Sequence, residues 1–136
     1  MKTAYRILAL LSISILILAS CGGPAKPSTS LRVEMTEFHF SPDLWTVPAG
    51  QTITLDLVNA GAVVHEFVIM KSGTDVGDDF GPEDEANIFW LVEVQPGEKV
   101  STSFVAPGEP GQYQVICGTK GHYSAGMTGT LTVVAQ

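Results

Sequence analysis

Three potential metal ligands of different chemistry lie close together near the C-terminus of this 136-residue chain. Cys117, His122 and Met127 follow one another at equal spacing in the stretch CGTKGHYSAGM. A thiolate, an imidazole and a thioether together suit a soft, redox-active metal, and copper first among such metals. Two histidines and a cysteine in a trigonal arrangement, with a weak axial methionine, form a blue-copper electron-transfer site. The loop supplies three of these four donors, so a second histidine must come from elsewhere in the chain.

The other two histidines differ in how well they suit that role. His65 lies near the start of a strand-like run, directly after the turn at residues 59–61. A strand end beside a loop is a position where a rigid scaffold can present a ligand. His39 lies between two phenylalanines on the first strand-like run and points away from both, so we expect an exposed or edge histidine there. The predicted metal-binding set is His65, Cys117, His122 and Met127.

The chain from Leu31 onward has the pattern of a β protein. Short runs rich in β-branched and aromatic residues are separated by turns such as Pro48-Ala49-Gly50. The runs 52–57 and 130–133 alternate cleanly, which indicates half-buried antiparallel strands. The predicted strands cover residues 31–40, 45–47, 52–58, 63–70, 100–105, 112–117 and 128–134. This pattern predicts an all-β fold, a Greek-key sandwich or barrel of about seven or eight strands.

Residues 71–90 interrupt this pattern. They hold six of the fourteen acidic residues and end in the apolar Ile88-Phe89-Trp90. One interpretation is a solvated loop or short helix that crosses between sheets, and another is a docking surface for a redox partner. Calcium binding is a weaker alternative, because the acids lack the regular spacing that a calcium loop needs.

The first twenty residues have the composition of an export signal. Lys2 and Arg6 precede an almost wholly apolar stretch, residues 7–19, that is too short to span a membrane comfortably. The stretch ends in Leu18-Ala19-Ser20-Cys21, which resembles a bacterial lipobox. In lipoproteins with that motif, the cysteine becomes the lipidated first residue of the mature protein, and its acyl chains anchor the protein to a membrane surface. The alternative is a conventional cleavage site with an incidental cysteine.

A stretch rich in Gly, Pro and Ser connects Cys21 to the β pattern. Residues 22–30 lack any apolar period, so we expect a tether that reaches at most about 30 Å. The predicted organisation is a signal peptide (1–20), a lipidated cysteine with a tether (21–30) and one β domain (31–136). Such a protein would be exported and lipid-anchored at the outer face of a bacterial membrane, in the periplasm or at the cell surface.

The charge balance and the cysteine count narrow the possible functions. Without Lys2 and Arg6, the mature chain keeps five basic and fourteen acidic residues, a formal balance of −9. This balance argues against nucleic acid as a partner and is compatible with a positively charged one. If Cys21 is lipidated, Cys117 is the only free thiol and no internal disulfide can form. A metal ligand explains that thiol, and a buried inert thiol is the alternative.

Residues 31–136 also resemble a known family, the cupredoxins or type 1 blue copper proteins. The resemblance includes Phe40-Ser41-Pro42, Pro48-Ala49-Gly50-Gln51, Asn59 and Gly61 before His65, Gly111-x-Tyr113 before Cys117, and Gly129-x-Leu131-x-Val133. The Cys-x4-His-x4-Met loop looks most like that of the auracyanins, which are membrane-associated carriers of photosynthetic bacteria. The resemblance implies that the four predicted ligands bind one copper ion and that His122 is the electron port. Glu66 departs from the family, because many members carry there an asparagine that ties the two ligand loops together.

The ligand set and the resemblance predict a membrane-tethered, monomeric one-electron carrier between a redox donor and an acceptor, without catalysis. A copper-storage or delivery lipoprotein is the alternative. Such proteins often use exposed Met- or His-rich segments, whereas the mature chain has only Met35, Met70 and Met127. A hydrolase would need Cys117 paired with a histidine and an orienting group, and the equally spaced methionine would then have no role.

Overall fold

The computed structural model describes residues 26–136, which form nine strands; the predicted signal peptide and Cys21 lie outside these residues. The strands are β1 (Ser30–Thr36), β2 (His39–Ser41), β3 (Leu44–Pro48), β4 (Thr52–Asn59), β5 (His65–Met70), β6 (Ile88–Val94), β7 (Lys99–Val105), β8 (Gly111–Ile116) and β9 (Thr128–Val134). One sheet has the order β2-β1-β4-β7, and the other has the order β3-β9-β8-β5-β6. The predicted all-β class is therefore confirmed. Within the described part of the chain, the only helix is a single 3-10 turn at Glu85–Asn87, and no helix there is long and apolar enough to cross a membrane.

The core lies between the two sheets and follows from the alternation of apolar residues along the strands. Ile53, Leu55 and Leu57 of β4 point inward and are fully buried, while the residues between them face outward. Each such side chain stabilises the fold by about 1.5–3 kcal/mol through loss of contact with water. The aromatic rings of Phe40, Trp45 and Phe67 pack edge to face at centroid distances of 5.2–6.2 Å. This packed centre supports the strand ends that carry the predicted ligands.

Strand directions differ in part from the prediction. β4 is antiparallel to β7 but parallel to β1, and β9 is antiparallel to β8 but parallel to β3. The expectation of purely antiparallel strands at 52–57 and 130–133 is therefore wrong on one side of each strand. Alternation reports which face of a strand is buried, and it carries no information on the direction of the neighbouring strand.

Two strand boundaries also differ from the prediction. The run 31–40 is divided into β1 and β2 by a tight turn in which Phe38 has a φ of +65°. Residues other than glycine rarely adopt this left-handed conformation, so the composition carries no turn signal there. The strand β6 was not predicted: its first three residues were placed in the exceptional segment 71–90, and residues 91–94 were in no predicted strand. Its apolar run does not alternate in sequence, although Phe89 and Leu91 are exposed on this edge strand.

Three connections meet at one end of the sandwich. The β1–β2 turn lies beside the β4–β5 connection, where the Ala60 N–H donates to the Met35 carbonyl at 2.8 Å. The β8–β9 loop starts next to β5, because Val68 and Ile116 are paired neighbours. Ser28 and Thr29 bind Thr46 and Thr54 through their backbones at the opposite end. The strand β1 separates the two ends by about 20 Å, at about 3.3 Å per residue.

Candidate metal centre

The predicted ligands lie on the two connections that meet at this end. His65 is the first residue of β5, Cys117 directly follows β8, and Met127 directly precedes β9. His122 lies midway along the β8–β9 loop, in a turn in which its N–H donates to the Thr119 carbonyl at 3.0 Å. A strand end is rigid on one side and free to turn on the other, which suits a residue that must point into a fixed site.

The thiol and the two imidazoles converge on one point. The Nδ1 atoms of His65 and His122 are 3.2 Å apart, and Cys117 Sγ lies 3.8 Å and 3.5 Å from them respectively. A trigonal metal ion held at about 2.0 Å from nitrogen and about 2.3 Å from sulfur needs donors roughly 3.5–3.8 Å apart. The two sulfur–nitrogen distances match this requirement and the nitrogen–nitrogen distance is about 0.3 Å shorter, so the three donors can hold one small ion after a slight adjustment. They are the only group of three or more potential metal-binding His, Cys, Asp or Glu side chains in residues 26–136.

Met127 closes the loop that contains the other two ligands. Its carbonyl accepts from the Cys117 N–H at 3.1 Å, and its own N–H donates to the His122 carbonyl at 2.9 Å. Its side chain is fully buried in the same apolar cluster as Cys117. The two hydrogen bonds fix the spacing of all three residues, which is why an equal spacing in sequence becomes a compact loop in space.

The sulfur of Cys117 lies in a closed environment with one hydrogen-bond donor. The thiol is fully buried, and the backbone N–H of Glu66 points at Sγ over 3.4 Å. A donor aimed at sulfur stabilises the thiolate, which is the form that binds metal. This bond also links the residue after His65 to the cysteine, so it joins the two ligand-bearing connections.

A second bond between these connections comes from a residue that the sequence did not single out. The Thr119 hydroxyl donates to the Val64 carbonyl at 3.0 Å, one residue before His65. It joins the two connections that, according to the resemblance, an asparagine at position 66 would join. The Glu66 side chain instead packs over Gly118, where an added Cβ would collide with its carboxylate. The only signal in the sequence was a hydroxyl residue two positions after the cysteine.

Asn59 holds the connection that leads to His65. It is fully buried, and its side-chain amide donates to the carbonyls of Val63 at 2.8 Å and Val94 at 2.9 Å. Its side-chain oxygen accepts from the Gly61 N–H at 2.9 Å. Three bonds from one buried side chain make this connection stiff, because a buried amide left unpaired would cost about 1–3 kcal/mol per lost group.

Burial and neighbouring charges act differently on the titratable groups of the site. Burial lowers the pKa of His65, the nearby His122 lowers it further, and the Glu37 carboxylate opposes both. A neutral imidazole is the form that binds metal, so this environment favours binding. Burial also raises the pKa of Glu66, and the charges of Glu93 and Glu85 add to the effect. His39 lies exposed on β2, outside the group of three.

The acidic segment packs beside the ligand loop. Val76 and Phe80 lie in a second apolar cluster with β5 and β8, and Tyr123 of the ligand loop joins it. The Tyr123 hydroxyl donates to the Gly77 carbonyl at 3.3 Å and accepts from the Gln114 amide at 3.0 Å. Several acids here bind backbone N–H groups of their own loop: Asp75, Asp79 and Asp84. The described acids form no cluster that could hold calcium, so the structure does not support that alternative.

Fold and donor chemistry together define a copper protein with two β sheets and a His-Cys-His group. The chain belongs to the cupredoxin-like family, because the model of the cupredoxin-like domain matches residues 8–133. The predicted family resemblance is thereby confirmed, and copper is the cofactor that this family and donor set define.

Auracyanins are among the relatives of this chain. It is 31% identical to auracyanin-A of Chloroflexus aurantiacus over 98% of its own length and 99% of the relative's. It is 34% identical to auracyanin-B of the same organism over 69% of its own length, and this match spans about half (46%) of auracyanin-B. The crystal structure of dithionite-reduced auracyanin from Roseiflexus castenholzii has a TM-score of 0.69 and 34% identity. That comparison covers 80% of this chain and 99% of the auracyanin chain.

Proposed function

We propose that the protein is a one-electron carrier whose type 1 copper site consists of His65, Cys117, His122 and Met127. The convergence of two imidazole nitrogens and one buried thiol within 3.2–3.8 Å is the observation that carries this proposal. Copper, when bound, supplies a one-electron couple between Cu(I) and Cu(II). All the proposed ligands come from one chain, so a monomer is sufficient.

The role of the polypeptide is to keep the donor atoms in place in both oxidation states. Two tethered connections, a packed core and the backbone bonds of Met127 restrict how far the donors can move. A site that needs little rearrangement loses little energy to reorganisation when an electron arrives or leaves. Burial excludes water from the thiolate and prevents an oxygen ligand from entering.

We place the electron port at His122. His122 is 8% exposed to solvent, whereas His65 is not exposed at all. Next to His122 lies the exposed ring of Phe38 (47% exposure), in edge contact with the imidazole at 5.2 Å, and the connection that leads to His65 exposes Val63 (42%). An apolar surface next to a buried redox group lets a partner dock closely and exclude water. Tyr123, Ala125 and Gly126 continue this surface along the ligand loop.

Copper storage or delivery receives no support from the thioether groups. Met35 and Met70 are fully buried in the two apolar clusters and cannot pass a copper ion along the surface. We assign no catalytic step to the protein, because the one thiol and the two buried histidines of residues 26–136 are all used in the proposed copper site.

The proposal includes a lipid anchor on Cys21, which lies outside the described residues. It is supported by the lipobox-like sequence and by the place where the described chain enters the domain. Ser28 and Thr29 lie at the end of β1 that is farthest from Phe38 and His122. An anchor on this side turns the port away from the membrane, toward redox donors and acceptors outside the bilayer.

The copper proposal is tested by the visible and EPR spectra of residues 26–136 after Cu(II) addition, with Met127→Gln as the variant. We expect an intense blue or green colour and a small hyperfine splitting. In Met127→Gln we expect the small splitting to remain and the reduction potential to fall, because an oxygen ligand favours Cu(II). A colourless protein that binds only Cu(I) would overturn the carrier. An unchanged spectrum and potential in Met127→Gln would overturn the axial assignment.

The anchor is tested with the full chain in a bacterial host. Mature wild-type protein should fractionate with membranes and carry acyl chains on Cys21, detected by mass spectrometry. Cys21→Ala should remove the acyl mass and release the mature protein into the soluble exported fraction. Identical fractionation and mass of the two mature proteins, apart from the substitution itself, would refute the anchor and leave the copper proposal untouched.

A further inference from the structure

One ring nitrogen of the proposed ligand His65 has no hydrogen-bond partner. Its Nε2 is fully buried, and no acceptor in residues 26–136 pairs with it. Its Nδ1 faces His122 and Cys117, so Nδ1 is the atom available to a metal. A neutral imidazole that binds metal through Nδ1 must carry its proton on Nε2. The site therefore contains a buried N–H donor, and metal-binding histidines nearly always give that proton to an acceptor.

The nearest charged group behind this nitrogen is the carboxylate of Glu37. A Cβ added to Gly61 would lie 2.8 Å from His65 Nε2 and 2.6 Å from Glu37 Oε1. The two atoms thus flank the same point, and only the absence of a side chain at residue 61 lets them approach. Only the backbone of Gly61 lies between the buried imidazole of His65 and the surface carboxylate of Glu37.

The Glu37 carboxylate is also held in this position. Its Oε1 accepts from the backbone N–H of Ala62 at 2.5 Å, and the Asn59 side chain fixes the adjacent Gly61 N–H. Glu37 itself lies in the tight turn between β1 and β2, directly before Phe38. The residue is therefore attached to the connection that presents His65 and does not extend freely into solvent.

From this geometry we propose that Glu37 is a positioning residue for His65, whose negative charge serves as the electrostatic partner of the Nε2–H. The inference rests on the proposed copper site. A carboxylate on the far side of the ring strengthens the imidazole as a donor and favours the more positive ion. Glu37 thereby lowers the reduction potential of the site and selects the orientation of the ring.

Glu37→Gln is the decisive variant, because it removes the charge and keeps an oxygen that can accept from Ala62. We expect the reduction potential to rise, with a change of about threefold to tenfold in the redox equilibrium constant, or roughly 30–60 mV at 59 mV per tenfold. Glu34→Gln is the matched control: it lies on β1, is exposed and removes the same charge. The shift of the potential in Glu34→Gln should be clearly smaller, because the Glu37 carboxylate, and not that of Glu34, accepts from Ala62 on the connection that leads to His65.

A second variant, Glu37→Ala, distinguishes an effect of the charge from an effect of the hydrogen bond to Ala62. If Glu37 acted only by holding Ala62, then Glu37→Ala would lower the thermal midpoint and change the potential, while Glu37→Gln would change neither. In the Cu(I) protein, the His65 Nε2 proton should also exchange faster with solvent in Glu37→Gln, as measured by NMR. Equal potential shifts in Glu37→Gln and Glu34→Gln would overturn the role of Glu37 and leave the copper site standing. A wild-type protein without a type 1 spectrum would overturn both.

Discussion

The two histidines of the metal centre lie in very different surroundings. His65 is fully buried behind Gly61, and its connection is fixed by the three bonds of Asn59. His122 keeps part of its edge at the surface, lies against the exposed ring of Phe38 and belongs to a loop held by its own backbone turns. In the proposed function, the same imidazole group thus serves two purposes: the buried one maintains the geometry, and the partly exposed one brings the site within reach of a partner.

The loops that present them are built in correspondingly different ways. The β4–β5 connection is short and is tied to other elements, since the Asn59 side chain donates to the Val94 carbonyl of β6 and the Glu37 carboxylate accepts from the Ala62 N–H. The β8–β9 loop is held largely by its own backbone bonds, and glycines with positive φ, Gly121 (+78°) and Gly126 (+101°), let it turn around the donor atoms. The loop joins the core through the buried side chains of Cys117 and Met127.

The largest effect should come from removing each imidazole in turn. His65→Gly and His122→Gly should both lose the type 1 spectrum on Cu(II) addition, because each removes one of three close donors. Millimolar imidazole should restore the colour in His122→Gly, since that gap opens to solvent. It should fail in His65→Gly, where no part of the side chain reaches the surface. The measurement is an imidazole titration followed by visible absorption.

Folding of the two variants can be compared without metal by circular dichroism, so that a failed rescue is not confused with an unfolded protein. Equal restoration in both variants would contradict the distinction between a buried and an accessible ligand. Restoration in neither would show that His122 is not reached from solvent, and the port would have to be sought elsewhere.

A smaller effect is expected from a charge placed on the port. Phe38→Asp adds a negative charge beside His122, so two copies that approach through this surface should repel each other. We expect electron self-exchange, measured by NMR line broadening in mixtures of oxidised and reduced protein, to slow by about tenfold, or ~1.4 kcal/mol.

Val105→Asp provides the matched control for this experiment. Val105 is 58% exposed and pairs with Thr52 at the start of β4, far from the connection that leads to His65. It changes the net charge by the same amount, so its effect on self-exchange should be small. Similar slowing by both variants would mean that total charge, and not the surface around Phe38, controls the approach.

Much of the fold could be predicted because it follows from local patterns. Alternation located β4 and β9, and turn residues located most of the boundaries. Two features were missed, since they depend on contacts rather than on composition. Phe38 adopts a left-handed turn without a turn residue, and β6 is a strand because it pairs with β5 at the edge of its sheet. The parallel pairings of β1 and β3 were likewise invisible in a single strand's pattern.

The candidate site, like the fold, could be predicted only in part from the sequence. The three close donors were predictable, because ligand chemistry restricts the residue types. The equal spacing with Met127 placed Cys117 and His122 on one loop, and His65 was the histidine at a strand end beside a turn. The groups around these donors were not predictable. Thr119, Glu37 and the amide of Asn59 act through the partners that the fold brings to them, and threonine, glutamate or asparagine in a loop has many ordinary roles. Hydrogen-bond partners of this kind are determined by tertiary contacts and not by the local sequence.

The smallest expected effect concerns Thr119, the residue that joins the two loops of the comparison. Thr119→Val keeps the shape of the side chain and removes the hydroxyl that donates to the Val64 carbonyl at 3.0 Å. We expect a loss of about 1 kcal/mol in the free energy of unfolding. We also expect a changed ratio of the visible bands, because Val64 precedes His65 and can then move relative to Cys117. Denaturant unfolding and absorption spectra measure the two effects, and Thr119→Ser should restore both.

Thr128→Val is the control that isolates the connection between the loops. Its hydroxyl also donates to a backbone carbonyl, that of Val115 at 3.0 Å, but this bond lies within the single hairpin of β8 and β9. It should cost a similar free energy of unfolding and leave the band ratio nearly unchanged. If both threonine variants altered the spectrum equally, the loops would be coupled through general stability alone. A spectral change confined to Thr119→Val means that the rigid connection at His65 sets the geometry of the exposed loop through this one hydroxyl.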